Sequence, residues 1–534
     1  MKPKVIAIGV DAPNGNQIKT WLARGELPHI KAIFDQGASG DVVHTKRFRN
    51  ERCWDTFLSG RDIGSFGSSF LPDSYGYFNE SLQREDRYRP FYALGEPFKV
   101  CMFDLPATLV AGVSGIQISG WGSELNVAAP LSQPPELIAQ LRNRYGSDPK
   151  LAESIKVYDH QTQEVEYSYV LPSAYDLDAV LDFRSKLLTA VDRRTDICLD
   201  LLARDDWDLF LALYVESHTA NHIGWHLGEK HPLSEADSSG NVQLEILRAI
   251  DLSIGRIAKA LPEHATVLFY TIDHTAANSM DVPSMALLPE LLYRWNFPGQ
   301  QALAVGDLAH PVPAMRRDYR RHWKQEVWSL ATDQGRRQLA SPSQLETNGN
   351  PTSWNPATWY QPLWPTMKAF ALPSVSDGYV RLNVRGREVQ GIIPPEDFSH
   401  ELAKISELLE RAVNPRTGQP IVKQLIATRE KPGDSPPIPP DLIVCWNDQF
   451  PADVLDSPEC GRIGPLPYFR SGGHVAHGTL VENLFAVRGP GIAPGLRTRR
   501  GNLEDMPATI LDLLRAQAPS GMTGSSLLNR DQVT

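Results

Sequence analysis

Disulfides, membrane spans and a basic surface are all missing from this chain. Its five cysteines, Cys53, Cys101, Cys198, Cys445 and Cys460, are odd in number, far apart and never in CxxC spacing. That excludes a disulfide framework and fits a reducing, cytoplasmic setting. No apolar run approaches the ~20 residues that cross a bilayer. Met1-Lys2-Pro3-Lys4 leads straight into a short strand, with no secretory leader pattern. No membrane partner is therefore expected. The net charge of -10 argues against a nucleic-acid partner bound by phosphate neutralisation. It leaves room for a small anionic substrate held by metal cations. Oligomeric state has no signature in the sequence.

What the chain does have is length, and strands that end in polar residues. At 534 residues it can bury a large core and hold more than one domain. Leu209 to Leu227 reads LFLALYVESHTANHIGWHL. An apolar, buried-strand pattern breaks there into a segment carrying Glu216, His218, His222 and His226. Histidines at four-residue steps share one face of a helix. Taken alone they fit a solvated helix start equally well. Other stretches repeat the design. Thr266 to Met280 runs an apolar strand into Asp273-His274, and Arg470 to Gly478, RSGGHVAHG, carries His474 and His477 on a glycine-rich loop. The strand Val5 to Val10 ends on Asp11. In an open α/β sheet such ends converge at the carboxyl edge of the strands. Asp and His converging from several segments is the layout of a two-metal site.

Along the chain, Gln17 to Gly25 predicts a short helix, and Cys53 to Gly60 another. Trp54, Phe57 and Leu58 are expected in the core. The basic residues Arg47, Arg49 and Arg52 precede or open the second helix, and a helix N-terminus with basic neighbours is an anion site. Residues 97–125 read as a strand and then a loop carrying Trp121. The amphipathic segments Leu187 to Arg204 and Leu244 to Leu261 feed the strands at 209 and 266. This alternation predicts a mostly parallel sheet. Residues 281–440 are rich in Pro, Trp and Arg and read as an inserted cap or lid between core segments 1–280 and 441–534. Within the cap, Gly378 to Ile392 predicts a β-hairpin, and Arg316, Arg317, Arg320 and Arg321 a solvated helix face. Lys431 to Pro440 reads as a connector back to a core strand, DLIVCW.

The order of these segments resembles the alkaline phosphatase superfamily, in its type I phosphodiesterase and nucleotide pyrophosphatase branch. Residues 9–38 resemble its opening strand, aspartate and helix. WDTFLSGRDIGSFG resembles the helix after its nucleophile, and YVESHTANHIGWH its tract with an aspartate and a histidine four apart. FYTIDHTAAN, GGHVAHG, FAVRGPGI and NLEDMPATILDLL resemble its later strand ends and closing helix. The resemblance covers about two-thirds of the chain. It implies an α/β fold with a central, mostly parallel sheet flanked by helices and an inserted cap. It also implies two divalent metal ions, zinc first, with manganese or iron as substitutes. One would be held by Asp11, Asp273 and His274, the other by His218, His222 and His474. His226 and His477 are expected behind or beside these ligands.

Two departures stand at the reacting centre. The family's aspartate is His218 here, giving a three-histidine set. Such a set with an open position supports an activated water near neutral pH. The family's serine or threonine nucleophile falls on Asn50, which cannot form a phosphoryl ester. Glu51 beside it is a candidate ligand or base. Cys53 is expected to pack in the core, with Thr45 or Cys53 in reserve as nucleophile. The leading expectation is hydrolysis of a phosphate ester or diester by metal-activated water, with Asn50, Glu51, Arg47, Arg49, Arg52 and Trp121 at the substrate. The alternatives are a group transferase or lyase on the same scaffold, or a homologue that binds ligand without turnover.

Overall fold

The computed structural model describes residues 4–45, 51–62, 89–107, 109–122, 130–151, 171–234, 240–309, 322–350, 352–434 and 440–528. Eight strands and seven helices, in chain order, carry the site. The strands are β1 (Lys4–Asp11), β2 (Ala38–Thr45), β3 (Val100–Phe103), β4 (Gly115–Ser119), β5 (Leu131–Gln133), β6 (Leu209–Tyr214), β7 (Ala265–Ile272) and β8 (Thr275–Ala277). The helices are α1 (Gly15–Ala23), α2 (Pro28–Asp35), α3 (Glu51–Ser59), α4 (Leu137–Tyr145), α5 (Leu177–Arg204), α6 (Glu216–Gly228) and α7 (Val242–Ala260).

The central sheet runs Leu496–Arg497, β2, Leu480–Arg488, β7, β1, β6, β3, β4, β5. Strand β1 is parallel to both β6 and β7, and β3 is parallel to β6 and β4. The strand Leu480–Arg488 runs antiparallel between β7 and β2. Side chains alternate across β1. Ile6, Ile8 and Val10 enter one core with residues of α1, α2, α5, α6 and α7. Val5 and Ala7 enter the other with residues of α3 and the helix Asp505–Leu514. Both faces are covered, which is why β1 and β6 read as continuous apolar runs. Each such Ile or Leu contributes about 1.5–3 kcal/mol by leaving water.

The flanking helices start where the sequence supplies caps. The side chains of Asn14, Asp176 and Asn241 accept backbone N–H groups at the starts of α1, α5 and α7. Pro28 opens α2, where its missing N–H costs nothing. Helix α5 begins ten residues earlier than expected, at Leu177 rather than Leu187, beyond the stretch where the amphipathic pattern is clear. In its first turn the Asp176 side chain takes the Ala179 N–H at 2.9 Å.

The second unit differs from expectation. Ala369–Leu372, Gly378–Leu382, Leu442–Trp446 and Val422–Ala427 form a separate antiparallel sheet. The strand Leu442–Trp446, expected in the core sheet, lies in the middle of this one. The second hydrophobic cluster extends through Ile463, Leu466 and Tyr468, so the boundary at 441 falls inside a packed unit. The predicted hairpin is corrected too. Only Gly378–Leu382 is a strand, and its partners are Ala369–Leu372 and Leu442–Trp446. After it the chain makes isolated bridges, Val384 with Ile393 and Arg385 with Glu388. Arg316, Arg317, Arg320 and Arg321 lie outside the described residues. Among the described residues no helix is long and apolar enough to cross a membrane.

Candidate metal centre

Strands β1, β6 and β7 are parallel neighbours, so their carboxyl ends share one edge. Asp11 closes β1, α6 starts two residues after β6, and Asp273 follows β7. The short strand Gly472–His474 pairs antiparallel with β8, setting His474 opposite Thr275. This register brings the late glycine-rich loop to the same edge.

Helix α6 is fastened down by its polar residues. Ser217 Oγ donates to the Asp11 carbonyl at 2.5 Å, and Asn221 Nδ2 to the Ala12 carbonyl at 3.0 Å. The His222 carbonyl accepts the Ser471 N–H at 3.1 Å. At its N-terminus Glu216 is wholly buried and takes Arg194 Nε at 2.8 Å. Arg194 also meets Asp104 at 2.9 Å. A buried acid in the first turn suits the helix dipole, and its cation keeps the charge paired.

Three imidazoles then meet. His218 Nε2 lies 2.8 Å from His222 Nε2 and 3.0 Å from His474 Nε2. The other ring nitrogens face acceptors. His218 Nδ1 is 2.9 Å from Asp11 Oδ2, His222 Nδ1 is 2.9 Å from the Gly472 carbonyl, and His474 Nδ1 is 3.1 Å from Asp273 Oδ2. The Asp11 and Gly472 oxygens call for the ring proton on Nδ1 of His218 and His222. The Asp273 carboxylate beside His474 Nδ1, at ion-pair distance rather than in hydrogen-bond geometry, favours the same tautomer there. Three Nε2 lone pairs then point at one another. That arrangement is repulsive in a buried place unless a cation sits between them. Burial pushes the His222 pKa well below its usual value, with Arg470 and the two neighbouring rings adding to the effect. His222 is therefore a neutral imidazole at neutral pH. The donor set fits zinc, and the two carboxylates stand where metal-bound histidines are normally oriented from behind.

The first expected set, Asp11, Asp273 and His274, is arranged differently. Asp11 and Asp273 serve the histidine cluster through its Nδ1 atoms. His274 Nε2 faces Asn14 Nδ2 at 3.2 Å, and its backbone N–H donates to Asp273 Oδ1 at 2.8 Å. Among the described residues, two groups have potential ligand atoms all within 4.8 Å of one another: His218, His222 and His474, and His44, Cys53 and Asp273. His226 lies just behind the cluster, its Nδ1 2.7 Å from Ser471 Oγ. His477 is half-buried on the loop after His474.

Other expected residues divide three ways. Arg47, Arg49 and Asn50 lie outside the described residues, as do the side chains of Glu51 and Arg52. Trp121 is corrected: it is wholly buried, 6.0 Å from the Phe103 ring and 5.0 Å under the Arg194 guanidinium, so no substrate reaches it. Trp54 is buried as expected but is more than packing. Its indole N–H donates to Asp11 Oδ1 at 3.2 Å. His44, Asn14 and Asn483 were not singled out in the sequence. Their signal is only proximity in the fold, which one chain does not reveal.

No protein-family model matches the chain, and no curated protein does. Among solved structures, it is similar to a variant of the alkaline phosphatase PafA, with 12% identity, 98% of each chain covered and a TM-score of 0.44. It is also similar to murine ectonucleotide pyrophosphatase/phosphodiesterase 5, with 10% identity, 98% of this chain and 97% of that chain covered and a TM-score of 0.41. An inactive form of that murine protein in complex with AMP gives 11% identity over 98% of each chain and a TM-score of 0.37. The fold described here is α/β, with a large, mostly parallel central sheet flanked by helices.

Proposed function

We propose that the protein is a metal-dependent hydrolase of a phosphate ester or phosphodiester. The observation that carries this reading is the convergence of the His218, His222 and His474 Nε2 atoms at 2.8–3.0 Å. A divalent ion held there supplies Lewis-acid polarisation and lowers the pKa of water. The chain's own residues do the rest. Asp11 and Asp273 fix the His218 and His474 rings through Nδ1 and raise their basicity. Trp54 holds the Asp11 carboxylate in place. The neutral histidine set carries one negative charge fewer than a set with aspartate, which favours an anionic substrate. Asn50, outside the described residues, carries an amide suited to a substrate oxygen and cannot itself become phosphorylated. The attacking group is then water rather than a side chain.

The test uses metal-reconstituted protein with a chromogenic diester and a chromogenic monoester. Turnover by wild type is expected, with loss in His222→Ala and no phosphoryl adduct by mass spectrometry. Asn50→Ala should retain weak activity, reduced by about 100- to 1,000-fold, as for the loss of one oxyanion donor. Silence in wild type with activity in Asn50→Thr would favour the transferase or lyase reading. A trapped adduct on wild type would place a nucleophile elsewhere, with Thr45 and Cys53 the first positions to examine.

A further inference from the structure

We propose that His44, Cys53 and Asp273 hold a second, thiophilic divalent cation beside the three-histidine set. This rests on donor atoms alone and not on the reaction proposed above. The ligand atoms of the three residues lie within 4.8 Å of one another. Donors around a tetrahedral zinc ion stand about 3.3–3.8 Å apart, so an ion needs only to draw them slightly inward. The three come from separate elements: the end of β2, the first turns of α3, and the residue after β7. Cys53 and Asp273 are each only 3% exposed. The thiolate is the form of cysteine that binds metal, and a bound cation stabilises it.

The surroundings support ligation. Asp273 has φ of 66°, a left-handed conformation that non-glycine residues rarely adopt. Its carboxylate stands between both groups: Oδ2 is 3.1 Å from His474 Nδ1, and a carboxylate oxygen lies within 4.8 Å of the His44 and Cys53 ligand atoms. Behind His44, the wholly buried Asn483 amide lies with Nδ2 3.0 Å from His44 Nδ1. Its Oδ1 has no hydrogen-bond partner among the described residues. Amide oxygen and nitrogen exchange places on a half-turn. After that turn Oδ1 accepts the Nδ1 proton of His44 and leaves the Nε2 lone pair for an ion. The amide then serves His44 as the Gly472 carbonyl serves His222.

The same three residue types could suggest a cysteine nucleophile with a histidine base. The base in such a pair is oriented from its far nitrogen by a carboxylate or by an amide, so Asn483 at Nδ1 is compatible with either reading. The Asp273 carboxylate beside Cys53 separates them: its charge opposes an uncompensated thiolate nucleophile, whereas a cation shared by the two stabilises both. A nitrogen, sulfur and oxygen set selects zinc or cobalt over magnesium or calcium.

The test is spectroscopic and uses the full chain without substrate. Chelator-stripped protein is titrated with cobalt(II). A thiolate-to-cobalt charge-transfer band in the near ultraviolet is expected, and zinc should displace it. Cys53→Ser should lose the band together with about one equivalent of bound metal. His222→Ala should keep the band, because its ligands belong to the other group. Zinc-loaded wild type should show one sulfur scatterer at about 2.3 Å by X-ray absorption, a measurement that needs no variant to fold. Cobalt binding with no charge-transfer band, or a zinc shell without sulfur, would overturn the proposal. Because no turnover is measured, a protein inactive on every phosphoester would still give a clear answer here.

Discussion

At the residue scale the centre is a matter of where imidazole protons sit. Three acceptors, two of them carboxylates, take the Nδ1 positions, and three Nε2 atoms face inward. His222→Ala should therefore lower bound metal by about one equivalent on elemental analysis. Unchanged metal would remove His222 from the centre. Asp11→Asn keeps the shape but weakens the partner of His218. Zinc affinity, measured by competition with a chromophoric chelator, should fall about 10- to 100-fold. An unchanged affinity would mean that Asp11 plays no part in orienting the ring. The sequence showed the three histidines and both aspartates, because strand ends running into polar residues are a local signal. It did not show that the carboxylates stand behind the imidazoles. That pairing joins residues some two hundred positions apart, as Asp11 and His218 illustrate. Trp121 misled for a related reason. A tryptophan among glycines reads as an exposed loop residue, and its partner Arg194 lies on a distant helix.

At the element scale, α6 and the strand Gly472–His474 must touch closely for the histidines to meet. Gly472 makes that contact possible. A Cβ there would stand 2.0 Å from the Asn221 carbonyl oxygen, which is backbone and has little freedom to retreat. Gly472→Ala should destabilise the fold by about 1–3 kcal/mol in denaturant unfolding, as overpacking does. It should also weaken metal binding, since the Gly472 carbonyl holds the His222 ring. Full stability in this variant would mean that the loop and helix are further apart than described. The parallel core was legible because buried strands alternate with amphipathic helices. The second sheet was not. Leu442–Trp446 is buried along its whole length, and an apolar run of that kind looks the same in either sheet. Only its neighbours, Gly378–Leu382 and Val422–Ala427, decide which sheet owns it.

At the scale of the whole molecule, buried titratable groups set the response to acid. Burial pushes His226 down to about 4 and His231 down to about 3. Both rings are neutral in the folded chain and bind protons more readily when unfolded. Their contribution is complete above the unfolded value near 6.5 and is lost as the pH falls towards the folded values. For His231 the loss approaches about 5 kcal/mol. Asp148 acts in the opposite sense. Burial lifts it from 3.8 to about 6, so its contribution is present at low pH and is lost as the pH rises through that value. Asp251, Glu290 and Asp453 are lifted in the same direction as Asp148, so the histidine loss between pH 6.5 and 4 is read from a variant against wild type. His231→Gln can still accept the Leu233 N–H that His231 Nδ1 accepts at 3.0 Å. Thermal melts across this range should be flatter for that variant than for wild type. Equal slopes would mean that His231 titrates alike in the folded and unfolded chain.

The centre is also spread across nearly the full run of the chain, from Asp11 to His474. During synthesis, His218 and His222 leave the ribosome some two hundred and fifty residues ahead of His474. Until then a nascent chain offers only an i, i+4 histidine pair on an unsupported helix, a weak holder for any ion. Firm capture must wait until the late strand has docked beside β8. A chain cut short before His474, or one whose second unit misfolds and withholds that strand, should emerge without its metal. A bound ion would then report that the chain has been made past His474 and that the late strand has docked.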